Sequence, residues 1–259
     1  MEIKIINQKD DSLDLAIDGI DNVMANTLRR LMLAEVPTLA IEEIEFQKNG
    51  SALYDEILAH RIGLIPLKTD LKSYNLKEEC KCKGEGCALC QVELTLDVTG
   101  PATVNSGELK CKDPAVKPVF DNIPIVKLIK GQKLKLSATA VLGKGKTHMK
   151  FSPGWFYYQQ YPEIKIGNVK KENEIKDICP TNVFEVENEK LKVKHLENCT
   201  LCNACMEKDE NIEVSGSKDK FIFHMESWGQ LDNKEIFLKA LDIFDKKLNE
   251  FEKELKKSK

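Results

Sequence analysis

The chain opens in alternation. Ile3 and Ile5, then Leu13, Leu15 and Ile17, fall at every second position, and the polar residues 7–12 between the two runs predict a hairpin turn. Helical spacing follows: Met24, Thr27, Leu28, Leu31 and Met32 recur on one face, Asp21 or Asn22 stands where a cap belongs, and Pro37 lies just past the stop. The strand-like AIEEIEF comes next. YDEILAHRIGLIPL then predicts a short helix running into an apolar exit at Pro66. Over residues 69–152 the texture becomes short alternating runs, such as VELTLDV and LKLSATAV, broken by Gly and Pro, which predicts a sheet-rich insert. VFEV and LKV, on either side of a polar turn, predict a further hairpin, and KFIFHMES a strand. A long closing helix is predicted from the cap Asp232, with Glu235 three residues on, and is striped by Ile236, Phe237, Ala240, Leu241, Phe244, Leu248 and Phe251. Mixed helices and sheets give an α+β class.

That last stripe is long for one small domain. The apolar faces of the first and last helices, Met24, Leu28, Leu31 and Met32 with Ile236, Ala240, Leu241 and Phe244, are either a helix-mediated interface or an internal core; periodicity alone fits both.

Nine cysteines change the picture. Cys199, Cys202 and Cys205 form C-x2-C-x2-C, and Cys179-Pro180 stands 20 residues upstream. In bacterial ferredoxins three close cysteines and a distal cysteine before proline are the ligands of one cubane. A second cluster would need cysteines at 169, 172, 175 and 209, where the chain has Val169, Glu172, Ile175 and Asp209. One [4Fe-4S] centre on Cys179, Cys199, Cys202 and Cys205 is therefore expected, with the [3Fe-4S] form left open; zinc or free thiols are the alternatives. CKCKGEGCALC places Cys80, Cys82, Cys87 and Cys90 around Gly84 and Gly86, a spacing that wraps one tetrahedral ion, with structural zinc as the default and a metal-free loop as the alternative. Cys111 stands alone and reads as a small buried hydrophobe.

Clustered thiols in a chain of 259 residues argue for a reducing compartment rather than a disulfide framework. MEIKIINQKDDSLDL lacks an apolar run of signal-peptide length and nowhere do 18 apolar residues follow one another, so a soluble, cytoplasmic protein with no membrane association is expected. A net charge of −3 announces no general nucleic-acid binder. Locally the balance shifts, since residues 122–162 contain no acid and hold Lys127, Lys130, Lys133, Lys135, Lys144, Lys146 and Lys150. That segment fits phosphates, an acidic partner or a solvated sheet face.

NVMANTLRRLMLAEVPTLAIEEIEF followed by LAHRIGLIPL resembles the alpha motifs of RNA polymerase assembly subunits, and GKGKTHMKFSP resembles a second segment of that family. With the four-cysteine loop between them and the ferredoxin-like stretch before the last helix, the chain resembles the D-type assembly subunits of archaeal RNA polymerase from end to end. Related proteins are the third-largest subunit of eukaryotic RNA polymerase II and the bacterial alpha subunit. The resemblance implies a discontinuous dimerisation domain (1–42 and 216–259), an inserted sheet-rich domain with the cysteine loop (43–166) and an inserted ferredoxin-like iron-sulfur domain (167–215). It further implies pairing with small subunit L and a platform for the second-largest catalytic subunit and small subunits N and P, with DNA met only through the complex. Residues 59–67 would dock the large subunit, making His60 and Arg61 interface and packing groups. The chain would belong to a nucleotidyltransferase complex and carry no catalytic residue of its own, in keeping with the lack of a compact Asp cluster for two Mg2+ ions. Two readings from other classes compete. A ferredoxin-type electron carrier is disfavoured because no Gly-rich dinucleotide fingerprint accompanies the cysteines. A zinc-dependent nucleic-acid binder would bind DNA alone with a steep salt slope.

Overall fold

The computed structural model describes residues 1–257. Strands β1 (Glu2–Gln8) and β2 (Ser12–Asp18) pair antiparallel, with Ile3 opposite Ile17 and Ile5 opposite Leu15. Helix α1 (Asn22–Ala34) is capped by Asp21, whose carboxylate accepts the Met24 N–H at 2.7 Å. Pro37 opens β3 (Pro37–Asn49). Helix α2 (Asp55–Gly63) carries Asp55 and Glu56 in its first turn and His60 and Arg61 in its last, the arrangement that complements the helix dipole at both ends. Strands β4 (Gln91–Thr99), β5 (Ala102–Asn105), β6 (Lys110–Cys111), β7 (Pro124–Leu128), β8 (Lys133–Lys144) and β9 (Gly154–Ile166) follow. Helix α3 (Glu172–Ile178), strands β10 (Phe184–Glu187) and β11 (Lys190–Val193), helix α4 (Ala204–Lys208), strand β12 (Ile212–Ser227) and helix α5 (Asn233–Lys257) complete the order. The expected β10–β11 hairpin turns at Asn188 and Glu189, with φ of 51° and 58°, the left-handed backbone such a two-residue loop requires.

The chain divides into two compact units, and the division falls within α1, β9 and β12. One unit comprises Met1–Lys9, Leu13–Thr27 and Tyr157–His224. Its sheet has the order β1-β2-β12-β9, and Phe221 and Phe223 of β12 are fully buried against Tyr158 of β9. The same unit contains α3, the β10–β11 hairpin and α4, packed around Val169, Ile175, Val183, Phe184, Leu191 and Ile212.

The other unit contains Leu28–Phe156 and the residues from Met225 on. Its sheet runs β3-β8-β4-β6, and alternation in β8 buries Leu134, Leu136, Ala138 and Ala140 while Lys133, Lys135, Ser137 and Thr139 point outward. Leu58 and Ile62 of α2, both 0% exposed, pack into the core that β3, β4 and β8 share.

The two helices that carry the expected interface stripe are largely used internally. Leu28, Leu31, Met32, Ile236 and Ala240 are buried within this chain, and Met24, Leu241 and Phe244 are half-buried. The five buried residues are thus core rather than surface. Periodicity detected an apolar face correctly, but its deepest residues are covered by the chain itself. Farther along α5 the side chains emerge: Leu248 is 50% and Phe251 64% exposed. Among the described residues no helix is long and apolar enough to cross a membrane.

Candidate metal centres and docking surface

The loop between α2 and β4 brings Cys80, Cys82, Cys87 and Cys90 together, each sulfur within 4.8 Å of the others. Three sulfur pairs lie closer still, Cys80–Cys87 at 3.6 Å, Cys82–Cys90 at 3.5 Å and Cys87–Cys90 at 3.9 Å. Bonds of about 2.3 Å to one tetrahedral ion would separate its sulfurs by about 3.8 Å, so three of the pairs already lie near the spacing that one bound ion requires. Local backbone makes this possible. Lys83, Gly84 and Gly86 all adopt left-handed conformations, with φ of 55°, 88° and 94°, and a Cβ on Gly86 would lie 2.5 Å from the Gln91 side chain. The Gly86 N–H, aided by Cys80, draws the Cys82 thiol down to about 6, whereas burial pushes Cys90 up to about 12. Four sulfurs around one ion would leave no position for water or substrate.

Cys179, Cys199, Cys202 and Cys205 line one cavity in the unit that holds α3 and α4. Among the described residues the first loop, and not this set, brings its sulfurs within 4.8 Å of one another. Cys199 and Cys205 are buried, which raises their thiols, and Cys202 is exposed. The C-x2-C-x2-C run bends through left-handed backbone at Leu201 and Asn203, with φ of 56° and 62°. The Val183 N–H points at the Cys179 sulfur at 3.4 Å, the kind of contact that stabilises a thiolate. Two of the positions a second cluster would need are filled by hydrocarbon: Ile175 is 0% and Val169 9% exposed in the apolar core. Glu172 and Asp209 complete that set without a thiol.

A third feature is apolar surface. Residues 59–67 and 143–153 converge on a groove of about 350 Å³ whose walls include Leu64, Phe120, Met149 and Trp228, exposed by 49%, 46%, 67% and 41%. A second cleft of about 200 Å³ shares Leu64 and Lys150 and adds His60 and His148. The motif residues divide their work. Arg61 donates to the Ile125 carbonyl at 2.9 Å and to the Pro124 carbonyl at 2.6 Å, fixing α2 to β7, while the exposed His60 faces the cleft. Lys150 lies 2.6 Å from the Glu42 carboxylate and donates to the Ile41 carbonyl at 2.9 Å. Within the segment 143–153 the Phe151 ring lies against Gly143 at the end of β8, where a Cβ would sit 2.6 Å from it.

Three of the seven lysines are paired, Lys133 with Asp97 at 2.7 Å, Lys144 with Glu35 at 3.6 Å and Lys150 with Glu42, while Lys127, Lys130, Lys135 and Lys146 are exposed. Neither α3, with seven residues, nor α4, with five, is visible in the apolar pattern, because segments this short carry no full helical period.

Residues 41–155 match the family described as the RNA polymerase Rpb3/RpoA insert domain. DNA-directed RNA polymerase subunit Rpo3 of Methanosphaera stadtmanae is 40% identical, over 95% of this chain and 96% of that protein. Rpo3 of Pyrococcus furiosus is 38% identical over 99% and 98%, and DNA-directed RNA polymerase II subunit rpb3 of Dictyostelium discoideum is 35% identical over 97% and 93%. Similarity of this extent spans both cysteine sets, the converging motif segments and the last helix. The chain belongs to the Rpo3/Rpb3 family of DNA-directed RNA polymerase subunits.

Proposed function

We propose that the chain is a non-catalytic assembly subunit of a cytoplasmic DNA-dependent RNA polymerase, equivalent to the D-type subunits of archaea. In this reading it pairs with small subunit L through α5 and offers the groove between residues 59–67 and 143–153 to the second-largest catalytic subunit. Small subunits N and P join the same platform, and DNA is reached through the assembled enzyme. The observation that carries the reading is the seam on α5. Phe237, Leu241, Phe244, Leu248 and Phe251 recur at spacings of four and three, the repeat of a helix seated against another helix, yet only Phe237 is buried and exposure reaches 64% at Phe251. A helix of a partner, laid along the second half of α5, completes that seam.

The two cysteine sets take different groups in this reading. Cys80, Cys82, Cys87 and Cys90 hold one structural zinc, supported by sulfur separations of 3.5–3.9 Å. Cys179, Cys199, Cys202 and Cys205 hold one iron-sulfur cluster in a ferredoxin-like domain, supported by their common cavity and by the C-x2-C-x2-C run with a distal cysteine before proline. Bound there, the cluster supplies four thiolate bonds to a small fold with a thin core; this chain's residues orient the thiolates and bury two of them. Affinity purification of the tagged chain from its native cell, with identification of the bound proteins, tests the function. Recovery with the two large polymerase subunits and a small L-type subunit is expected; recovery with a flavin or nicotinamide reductase instead would replace this reading with that of an electron carrier.

A further inference from the structure

The cluster-bearing segment is held by the neighbouring sheet. From β9, the Gln159 side-chain amide donates to the Cys199 carbonyl at 3.2 Å, and the Tyr161 hydroxyl donates to the Glu197 carboxylate at 3.3 Å. The Lys220 ammonium of β12 sits 4.2 Å from the centre of the Tyr161 ring and 3.6 Å from the Asp18 carboxylate of β2. Asp18 is the register partner of Glu2 in β1. A connected path of polar contacts therefore runs from a cluster-ligand segment through β9 and β12 to β2 and the edge strand β1, all inside one compact unit.

The far end of that path is unusual surface. Ile3 and Ile5 share a face with their cross-strand partners Ile17 and Leu15. The partners are 1% and 4% exposed, but Ile3 and Ile5 are 48% and 57% exposed on a strand with one open edge. A strand so placed has little to hold it except its ladder with β2, and its order is sensitive to small changes in that support.

We propose that Gln159 and Tyr161 are positioning residues that couple occupancy of the Cys179–Cys205 cavity to the order of β1 and β2. The proposal rests on the reading of those cysteines as cluster ligands. With the cluster in place, residues 196–199 are fixed and offer Gln159 and Tyr161 stationary partners. Without it the segment gains freedom, the two contacts lapse, and Tyr161, Lys220 and Asp18 lose their fixed arrangement. By reciprocity, a partner that orders β1 helps the site retain its cluster. Two hydrogen bonds of ordinary net strength limit the coupling to roughly tenfold in local opening.

Hydrogen exchange on the full chain, purified without oxygen, tests this, with iron content read on the same samples. The comparison uses the parent, Cys202→Ser, which alters the one exposed ligand, the double variant Gln159→Ala/Tyr161→Phe, and the combination. Parent protein stripped with a chelator repeats the cluster-free state without a substitution. Expected are iron in the parent, its loss in Cys202→Ser, and β1–β2 exchange faster by roughly tenfold in that variant and in stripped parent. The double variant should keep its iron but release it faster to chelator and show fast β1–β2 exchange already; adding Cys202→Ser should change that exchange no further, a non-additivity that independent damage would not produce. Iron bound and then lost with β1–β2 exchange unchanged, or effects that simply add, overturns the coupling while leaving the cluster in place. A parent that binds no iron overturns the cluster reading and the coupling with it.

Discussion

Cys82 and Cys90 lie in one loop 3.5 Å apart, yet their thiols are driven in opposite directions, to about 6 by the Gly86 N–H and to about 12 by burial. The consequence is a proton count. At neutral pH Cys82 is already mostly thiolate and Cys90 still protonated, so fewer than four protons should leave when zinc binds. Below about 6, where Cys82 also carries its proton, the number should rise toward four and zinc affinity should fall. Calorimetry in buffers of different ionisation enthalpy measures it; a constant four protons across this range would contradict the asymmetry. Replacement of Cys87 by Ser should remove zinc and leave iron in place, since the second cysteine set lies in the other compact unit. Elemental analysis of that variant decides whether the sites are separate. Gly86→Ala should weaken zinc binding as well, because an Ala at φ 94° is strained and its Cβ meets Gln91. Residue chemistry of this kind is legible in the sequence: thiolate spacing and the two glycines identify the first loop, and a cysteine before proline marks the second set.

Element by element, the pattern of apolar positions locates α1, α2, β4, β8, the β10–β11 hairpin and α5. The Asp21 cap forms as expected, at 2.7 Å from Met24. Two kinds of element escape it. Helices α3 and α4 are too short for a period, and β12 extends over 16 residues although only its second half alternates in a recognisable way. For α5 the spacing is right but the assignment of sides is not complete, and that difference is testable. Leu28→Asp places a carboxylate where the side chain is 4% exposed and should cost on the order of 3–5 kcal/mol, enough to unfold or sharply destabilise the chain. Leu248→Asp with Phe251→Asp alters side chains that are 50% and 64% exposed, so the melting temperature of the chain alone should barely move. The same pair should abolish a 1:1 complex with a co-expressed L-type subunit, read by size-exclusion chromatography with light scattering. Retention of that complex by the double variant would place the partner elsewhere.

At the scale of the whole molecule, the structure separates two kinds of stability. The unit built on β3, β8 and β4 has a large hydrocarbon core around Leu58, Ile62, Leu94 and Leu136, whereas the α3–α4 region packs a small one whose buried members include Cys199 and Cys205. Removing the cluster should therefore loosen residues 167–215 and leave the larger core folded. Pairing with L should survive; joining of the second-largest subunit should weaken, because a loosened domain must be ordered as the enzyme assembles. Reconstitution of polymerase with and without the cluster, compared for yield and salt stability, gives the answer, and equal values would leave the cluster a local role. Sequence by itself marked the two cysteine sets, the helix cap and the alternating strands, because ligand spacing, caps and alternation are set by covalent geometry and local backbone preference. Only the tertiary structure decided which apolar residues face the chain's own core: Ile236 and Ala240 are fully enclosed while Leu248 and Phe251, on the same helix, are not. It also brought residues 59–67 against 143–153 and set Gln159 beside Cys199. Burial is a property of what lies opposite a residue, often a hundred positions away, and no local pattern records it.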